Sequence, residues 1–336
     1  MAALQDSDDF LADFYLPRAS TPTRENAIRR FVKCCQNRIY IRKPAPGFDP
    51  QRYARHHDLE PRQLNPFVHF IKAGKPAGPW QETVINLADD IPSPNRQLRV
   101  AVHVHAFYPD LLTDIIRRLA SNGSRCDLFI SATSDTVSRE VRGSLETYGA
   151  GSYEIRCVPN RGRDIGPLAT EFATDLMDYD VIGHFHTKKS VHVVGSNLVR
   201  DWADFLAENL LGGKYRATDK ILSMFGQDAM LGLVFADDPH LIGWDKNRMY
   251  AERLGRRIGI DSLPEPFFPF PVGTMFWARA QALEPLFDLR LSWDDYPAEP
   301  LPIDGSMLHA VERLLPFIVE KAGFGRMVTY TPGITR

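Results

Sequence analysis

Two polar stretches decide the reading of this chain: Asn160-Arg161-Gly162-Arg163-Asp164-Ile165-Gly166-Pro167, and further on His184-Phe185-His186-Thr187-Lys188-Lys189-Ser190. Each follows an apolar run that reads as a buried strand, Tyr153 to Val158 and Val181 to His186. In an open α/β sheet, ligands bind where strand carboxyl ends and helix N-termini open into a crevice. Two Arg, two Lys and a helix N-terminus make such a crevice attractive to phosphate.

Working outward, strands and helices alternate. Leu98 to His105, Asp127 to Ala132 and Tyr153 to Val158 are expected strands. Asp110 to Asn122, Val137 to Tyr148 and Ile165 to Asp178 are the helices after them; Pro109 opens the first and Gly123 stops it. The spacing predicts right-handed crossovers and a mostly parallel sheet flanked by helices. Beyond Lys189, helices are expected at Leu198 to Leu211, Ala217 to Phe225, Ala280 to Phe287 and Asp304 to Lys321. Trp244 to Ile258 reads as a mobile or helical insertion, and Met230 to Ala236 and Val272 to Ala278 as late strands. Residues 1 to 95 show no strand-like alternation and are expected to form a helical N-terminal region. A linker at Ile91 to Asn95 separates it from an α/β domain over 96–336.

The composition excludes several classes. With 40 Lys and Arg against 42 Asp and Glu, the net charge of −2 gives no basis for bulk nucleic-acid binding, so any basic site is local. No apolar run reaches the ~18 residues that span a bilayer. The acidic start, Met1 to Asp9, lacks the order of a signal peptide, and a cytoplasmic chain is expected. Phe267-Phe268-Pro269-Phe270-Pro271 is either a peripheral membrane contact, at an inner membrane, or a buried aromatic loop; the loop is the favoured reading. Cys34, Cys35, Cys126 and Cys157 have neither zinc nor redox spacing and read as reduced, mostly buried thiols.

Each cluster has a chemical and a plain reading. His103 and His105 share one face of the first strand and can meet a nucleobase or simply bond backbone. Asp135 can accept from a base or ribose, or belong to an ordinary helix cap with Thr133 and Ser134. In Asn160 to Asp164, Gly162 supplies positive φ, Arg161 and Arg163 offer forked donors to phosphate, and Asp164 can orient one of them or take a sugar hydroxyl. His184 and His186 lie on one face, with Phe185 opposite. They can ligate a divalent ion such as Mg²⁺ or Mn²⁺, but no nearby carboxylate completes the set, and Lys188 and Lys189 can neutralise a diphosphate without a cation. Asp304 either caps its helix or takes a proton from an acceptor hydroxyl. His309 and Glu312 share a helical face behind it, and Asp294-Asp295 is a weaker rival.

Together these residues resemble the rhamnan synthesis protein F family, a group of bacterial cell-surface polysaccharide glycosyltransferases. The carriers are His105 to Asp110, Asn160 to Ile165, His184 to Ser190, Gly273 to Trp277, Asp304 to His309 and Glu312 to Pro316. Phe48 to Gly78 resembles a short helical module found beside such domains. The resemblance implies an A-type glycosyltransferase-like, Rossmann-like fold. It also implies a deoxythymidine-diphosphate-rhamnose donor and a growing, lipid-linked glycan as acceptor. That fold usually carries Asp-x-Asp where this chain has His184-Phe185-His186, which weighs against metal dependence. The expected activity is an inverting glycosyl transfer. His105 and Asp135 lie near the base and ribose; Asn160, Arg161, Gly162, Arg163, Asp164, His184, His186, Lys188 and Lys189 hold the donor; Asp304, with Glu312 and His309, serves the acceptor. The rival is a non-catalytic carbohydrate-binding or scaffold subunit of an assembly complex.

Overall fold

The computed structural model describes residues 2–17, 23–90, 97–146, 148–187, 197–264 and 267–336, with backbone only at 2 and 197–199. Among these residues eight strands form one sheet: β1 Thr83–Asn86, β2 Val100–Ala106, β3 Asp127–Ala132, β4 Tyr153–Cys157, β5 Val181–His186, β6 Leu231–Ala236, β7 Phe276–Arg279 and β8 Gly325–Tyr330. Their order is β1-β8-β6-β7-β5-β2-β3-β4. Only β7 runs antiparallel to its neighbours. Helices cover the sheet, giving the expected mostly parallel, Rossmann-like α/β architecture. Pairing runs from β2 to β3 on one side and from β2 to β5 on the other. Strand order therefore reverses at β2/β5, the position where such sheets open a ligand crevice at their carboxyl edge.

Local sequence explains the elements that set this edge. In the helix Pro109–Ala120, Leu112, Ile115, Ile116 and Leu119 recur at helical spacing and are buried, each contributing roughly 1.5–3 kcal/mol. The helix starts at Pro109, and the Tyr108 N–H donates to Thr187 Oγ1 (2.8 Å), tying the end of β2 to the end of β5. Ser134 caps the helix Asp135–Leu145 by accepting from the Val137 N–H, so Asp135 is its first residue and not its cap.

Several expectations are corrected. The segment expected as one helix over 165–178 is a π-turn, Pro167–Glu171, followed by a short α-helix, Ala173–Leu176. The strand expected over 272–278 begins only at Phe276, because Gly273 and Thr274 have left-handed φ values of 72° and 57° and turn the chain. Trp244 to Ile258 contains the helix Arg248–Ile258. Residues 1 to 95 are not free of strand: β1 pairs parallel with β8, itself unanticipated. Two cores result, an aromatic one from Leu4 to Trp80 and the sheet's own from Ile85 onward. The expected linker, 91–95, lies outside the described residues.

Phe268 and Phe270 are each 4% exposed; Phe268 packs on Trp244, Phe317 and Phe270. The buried-loop reading of that segment is the one the structure shows, and these two rings are closed to a lipid surface. No helix among the described residues is long and apolar enough to cross a membrane. The four cysteines are free thiols; Cys35 and Cys126 are buried, while Cys157, at the end of β4, is exposed.

Candidate functional site

At the switch point the parallel register sets His103 beside His184 and His105 beside His186. All four rings are buried on one face, with Phe185 on the other against Trp277. Three of them form a connected chain. His184 Nε2 meets Asp164 Oδ2 (3.2 Å), His184 Nδ1 meets His103 Nδ1 (2.9 Å), and His103 Nε2 meets Ser131 Oγ (3.1 Å). Ser131 Oγ in turn meets His105 Nδ1 (2.9 Å). Burial drops the pKa of His105 to about 4 and that of His103 well below its ordinary value. Burial alone would push the Asp164 carboxyl up; the imidazoles of His186, His184 and His105 outweigh it and hold it well below the usual carboxylate range.

Asp164 belongs to a tight turn after β4. Gly162 has φ of 74°, and a Cβ there would lie 2.8 Å from the Gly166 Cα and 2.9 Å from the Tyr296 ring. Arg163 follows with φ of 48°, a conformation that a side-chain-bearing residue adopts at a cost of about 1–3 kcal/mol. Its guanidinium reaches His309 Nε2 (3.5 Å), Glu299 Oε1 (3.5 Å) and the Pro302 carbonyl (3.4 Å). Arg161 is engaged elsewhere: its nitrogens donate to the Tyr296 carbonyl (2.8 Å), Asp294 Oδ1 (2.9 Å) and the Asp294 carbonyl (3.3 Å). The two arginines expected to act together thus serve different segments. Glycine and alanine at position 163 both give up the guanidinium contacts, so Arg163→Gly is expected to be more stable than Arg163→Ala by about 1 kcal/mol in urea unfolding, the left-handed backbone making the difference. Equal stability of the two variants would show that the turn carries no such strain.

A second left-handed turn, Gly273-Thr274, faces His186. His186 Nε2 meets the Gly273 carbonyl (2.6 Å), and the Gly273 N–H donates to Glu312 Oε1 (2.6 Å). A Cβ on Gly273 would meet the Trp202 ring at 2.7 Å. Glu312 is buried, and Arg313 donates to its other oxygen (3.3 Å), so it clamps the turn. Asp304 is not the cap of the helix Met307–Lys321; Ser306 is. Asp304 Oδ1 instead accepts from Asn247 Nδ2 (2.7 Å) and lies 3.7 Å from an Arg313 nitrogen. Burial raises its pKa, but Asn247, Arg313, the Gly305 N–H and His309 together hold it below the ordinary value. Its side chain keeps 33% exposure. His309 Nδ1 bonds Ser306 Oγ (2.8 Å).

Asp135 and Asn160 are exposed beyond the ends of β3 and β4. Lys188 and Lys189 lie outside the described residues. Among the described residues no group of three His, Cys, Asp or Glu is arranged to hold a metal ion. His184 does not fit the ligand role considered for it, since both its nitrogens are taken by His103 and Asp164. Sequence reading missed the direct bond of His103 to His184 that joins the two histidine pairs, and the places of Ser131 and Asp164 along the chain. The signal was the repeated His-x-His at two adjacent strand ends.

Fold and edge together define a Rossmann-like α/β protein with a buried cluster of histidines and an aspartate at its switch point. The chain belongs to the rhamnan synthesis protein F family, whose sequence profile matches residues 80–324. The family takes part in rhamnan synthesis and so in polysaccharide biosynthesis. The chain is also 32% identical over 258 residues to an uncharacterized protein, WxcX, of Xanthomonas campestris pv. campestris strain B100, and equally to its counterpart in strain ATCC 33913. The alignment covers 75% of this chain and 35% of each relative, so the chain spans about a third of the length of those relatives.

Proposed function

We propose that the chain is a glycosyltransferase that moves a sugar, rhamnose by the family's name, from a nucleotide-diphosphate donor to a growing cell-surface glycan. One observation carries the reading. Arg163 and Asp164, adjacent in one strained turn, join two polar groups: Arg163 reaches His309 at the 299–309 segment, and Asp164 reaches His184 at the switch point. In this reading the donor lies between them, with the switch point of the sheet on one side and the carboxylate of Asp304 on the other.

The donor's diphosphate lies against Arg163, with Lys188 and Lys189 as further cations. Positive charge there stabilises the departing diphosphate, commonly the largest contribution in such sites. Asp304 accepts the proton of the attacking hydroxyl, and one in-line displacement inverts the anomeric carbon. Glu312, fixed on Gly273, positions the turn without touching substrate. Arg161 braces the 294–296 turn. No step is assigned to a metal.

Isothermal titration with dTDP and UDP, with and without Mn²⁺, tests the reading. Binding is expected in both conditions, weakened about tenfold or more in Arg163→Ala, the scale of a lost charge-assisted hydrogen bond. Absence of binding in every condition would favour a non-catalytic carbohydrate-binding or scaffold subunit.

A further inference from the structure

Among the described residues the two most exposed large apolar side chains are Ile303, at 82%, and Met249, at 69%. They flank one hydrogen bond, from Asn247 Nδ2 to Asp304 Oδ1. Ile303 precedes that carboxylate in the chain. Met249 stands in the first turn of the helix Arg248–Ile258, which Asn247 opens. A single exposed apolar residue is ordinary on any protein surface. Two of them at either side of the candidate base, with cations along the same helix, make a surface of defined composition.

That helix has a packed side and an open side. Ala251, Leu254 and Gly255 are buried, and the helix lies along Met307–Lys321. Opposite them, at helical spacing, stand Met249, Arg253 and Arg256, all exposed, with exposed Lys246 in the turn before. Lys246, Arg253 and Arg256 enter no ion pair among the described residues. The nearest carboxylates in the chain are engaged, Glu252 by Arg248 (2.9 Å) and Asp245 by Arg313 (3.4 Å). Arg257, at the margin, donates to the Leu289 carbonyl (3.4 Å) and acts on Asp295. Asp261, beyond the helix, is exposed and subtracts one charge. The face is therefore cationic, with two apolar tips projecting from it.

We infer that this face, the open side of the helix Arg248–Ile258 together with Ile303, docks the protein on an anionic lipid surface. Charge complementarity selects the partner's sign, since phospholipid headgroups of negative charge attract clustered Lys and Arg. The apolar tips select a bilayer. Met249 and Ile303 can enter the boundary between headgroups and acyl chains, whereas an acidic polymer in solution would use the cations and leave both tips in water. The surface itself stands on exposure and charge; the use made of it rests on the transferase reading. In that reading, docking here brings Asp304 to the level of the headgroups, where a lipid-linked acceptor presents its hydroxyl.

Co-sedimentation of the full chain with two kinds of vesicle tests this: phosphatidylcholine alone, and phosphatidylcholine with about a third phosphatidylglycerol, at about 0.1 M salt. Binding to the mixed vesicles is expected to be about tenfold tighter or more, and to fall away at about 0.5 M salt. Arg253→Gln with Arg256→Gln is expected to weaken it about 30-fold, at roughly fivefold per charge. Met249→Ser with Ile303→Ser is expected to weaken it about tenfold or more. Both double variants should keep the wild-type melting temperature and dTDP titration. Equal binding to the two kinds of vesicle, or none to either, would overturn the inference, as would unchanged binding in either double variant. Binding weakened by the arginine pair alone would mark attraction to any polyanion and overturn the bilayer as partner. Vesicle binding needs no nucleotide. Its failure while dTDP still binds strikes this inference alone; its success where no nucleotide binds upholds the surface and strikes the transferase reading.

Discussion

Lys43→Ala is expected to destabilise the protein by about 3–5 kcal/mol, the cost of leaving a buried charge without its partner. Lys43 and Asp237 form an ion pair with side chains 7% and 0% exposed. Asp237 follows β6 and also accepts from the Gly47 N–H (2.6 Å). Around it, the Lys43 N–H donates to the Pro239 carbonyl (2.7 Å), the Leu241 N–H donates to the Ile41 carbonyl (2.9 Å), and Arg42 meets His240 (2.7 Å). This is where the aromatic N-terminal core is pinned to the sheet. Burial pushes the Asp237 carboxyl up even with Lys43 and Gly47 opposing it. The sign with pH follows. A carboxylate whose folded pKa is raised costs most above that pKa and least once protonated, so the deficit of Lys43→Ala should shrink as pH falls from 8 toward 5. A loss caused only by the vacated volume would not depend on pH. Lys43→Met with Asp237→Asn removes both charges, keeps an acceptor for Gly47, and should recover most of the loss. Urea unfolding of the three variants at two pH values decides. A cost under about 1 kcal/mol for Lys43→Ala would mean the pair contributes no more than a surface pair does.

What the sequence made legible, and what it did not, separates along physical lines. β3 and β5 stand at the residues expected, because both are short, largely apolar runs buried on two faces, the pattern of a central parallel strand. β1 and β8 escaped notice. Thr83–Asn86 has four residues in a region without alternation, and Gly325–Tyr330 begins Gly-Arg-Met; their pairing is a long-range fact that local pattern does not encode. In the site, alternation gave the shared face of each histidine pair. Register between β2 and β5 made one cluster of them, and register is set by packing across the whole sheet. The glycine at 162 was readable as a turn, but the left-handed Arg163 was not, since that conformation is uncommon for a residue with a side chain and no local pattern announces it. Asp304 was expected at a helix start; Ser306, two residues later, caps the helix, which leaves the carboxylate partly exposed.

That release is what the largest expected effect on turnover depends on. Asp304→Asn is expected to lower kcat by about 10²–10⁴-fold, the range for losing a general base, with nucleotide affinity within threefold of wild type. Of the three carboxylate and imidazole groups considered for the role, Glu312 is buried with Gly273 and Arg313 on its oxygens, and His309 is held between Ser306 and Arg163. Asp304 is the one whose side chain combines ionisation with a third of its surface open. Its depressed pKa makes it a weaker base but keeps it charged at any neutral pH. The proton then moves late, as the departing diphosphate draws the sugar away from its oxygen. The rate should accordingly show no acid limb from Asp304 between pH 5 and 8. Asparagine keeps the volume and can still offer its carbonyl to Asn247 Nδ2, so the 304–306 turn, held by Asn247 Oδ1 on the Gly305 and Ser306 N–H groups (3.1 and 3.2 Å), should survive. An unchanged melting temperature alongside the lost turnover would separate chemistry from support. Asn247→Ala supplies the contrast: it removes the clip and should lower stability and turnover together. If Asp304→Asn instead turns over within threefold of wild type, Asp304 serves only to anchor Asn247, and the proton leaves by another route.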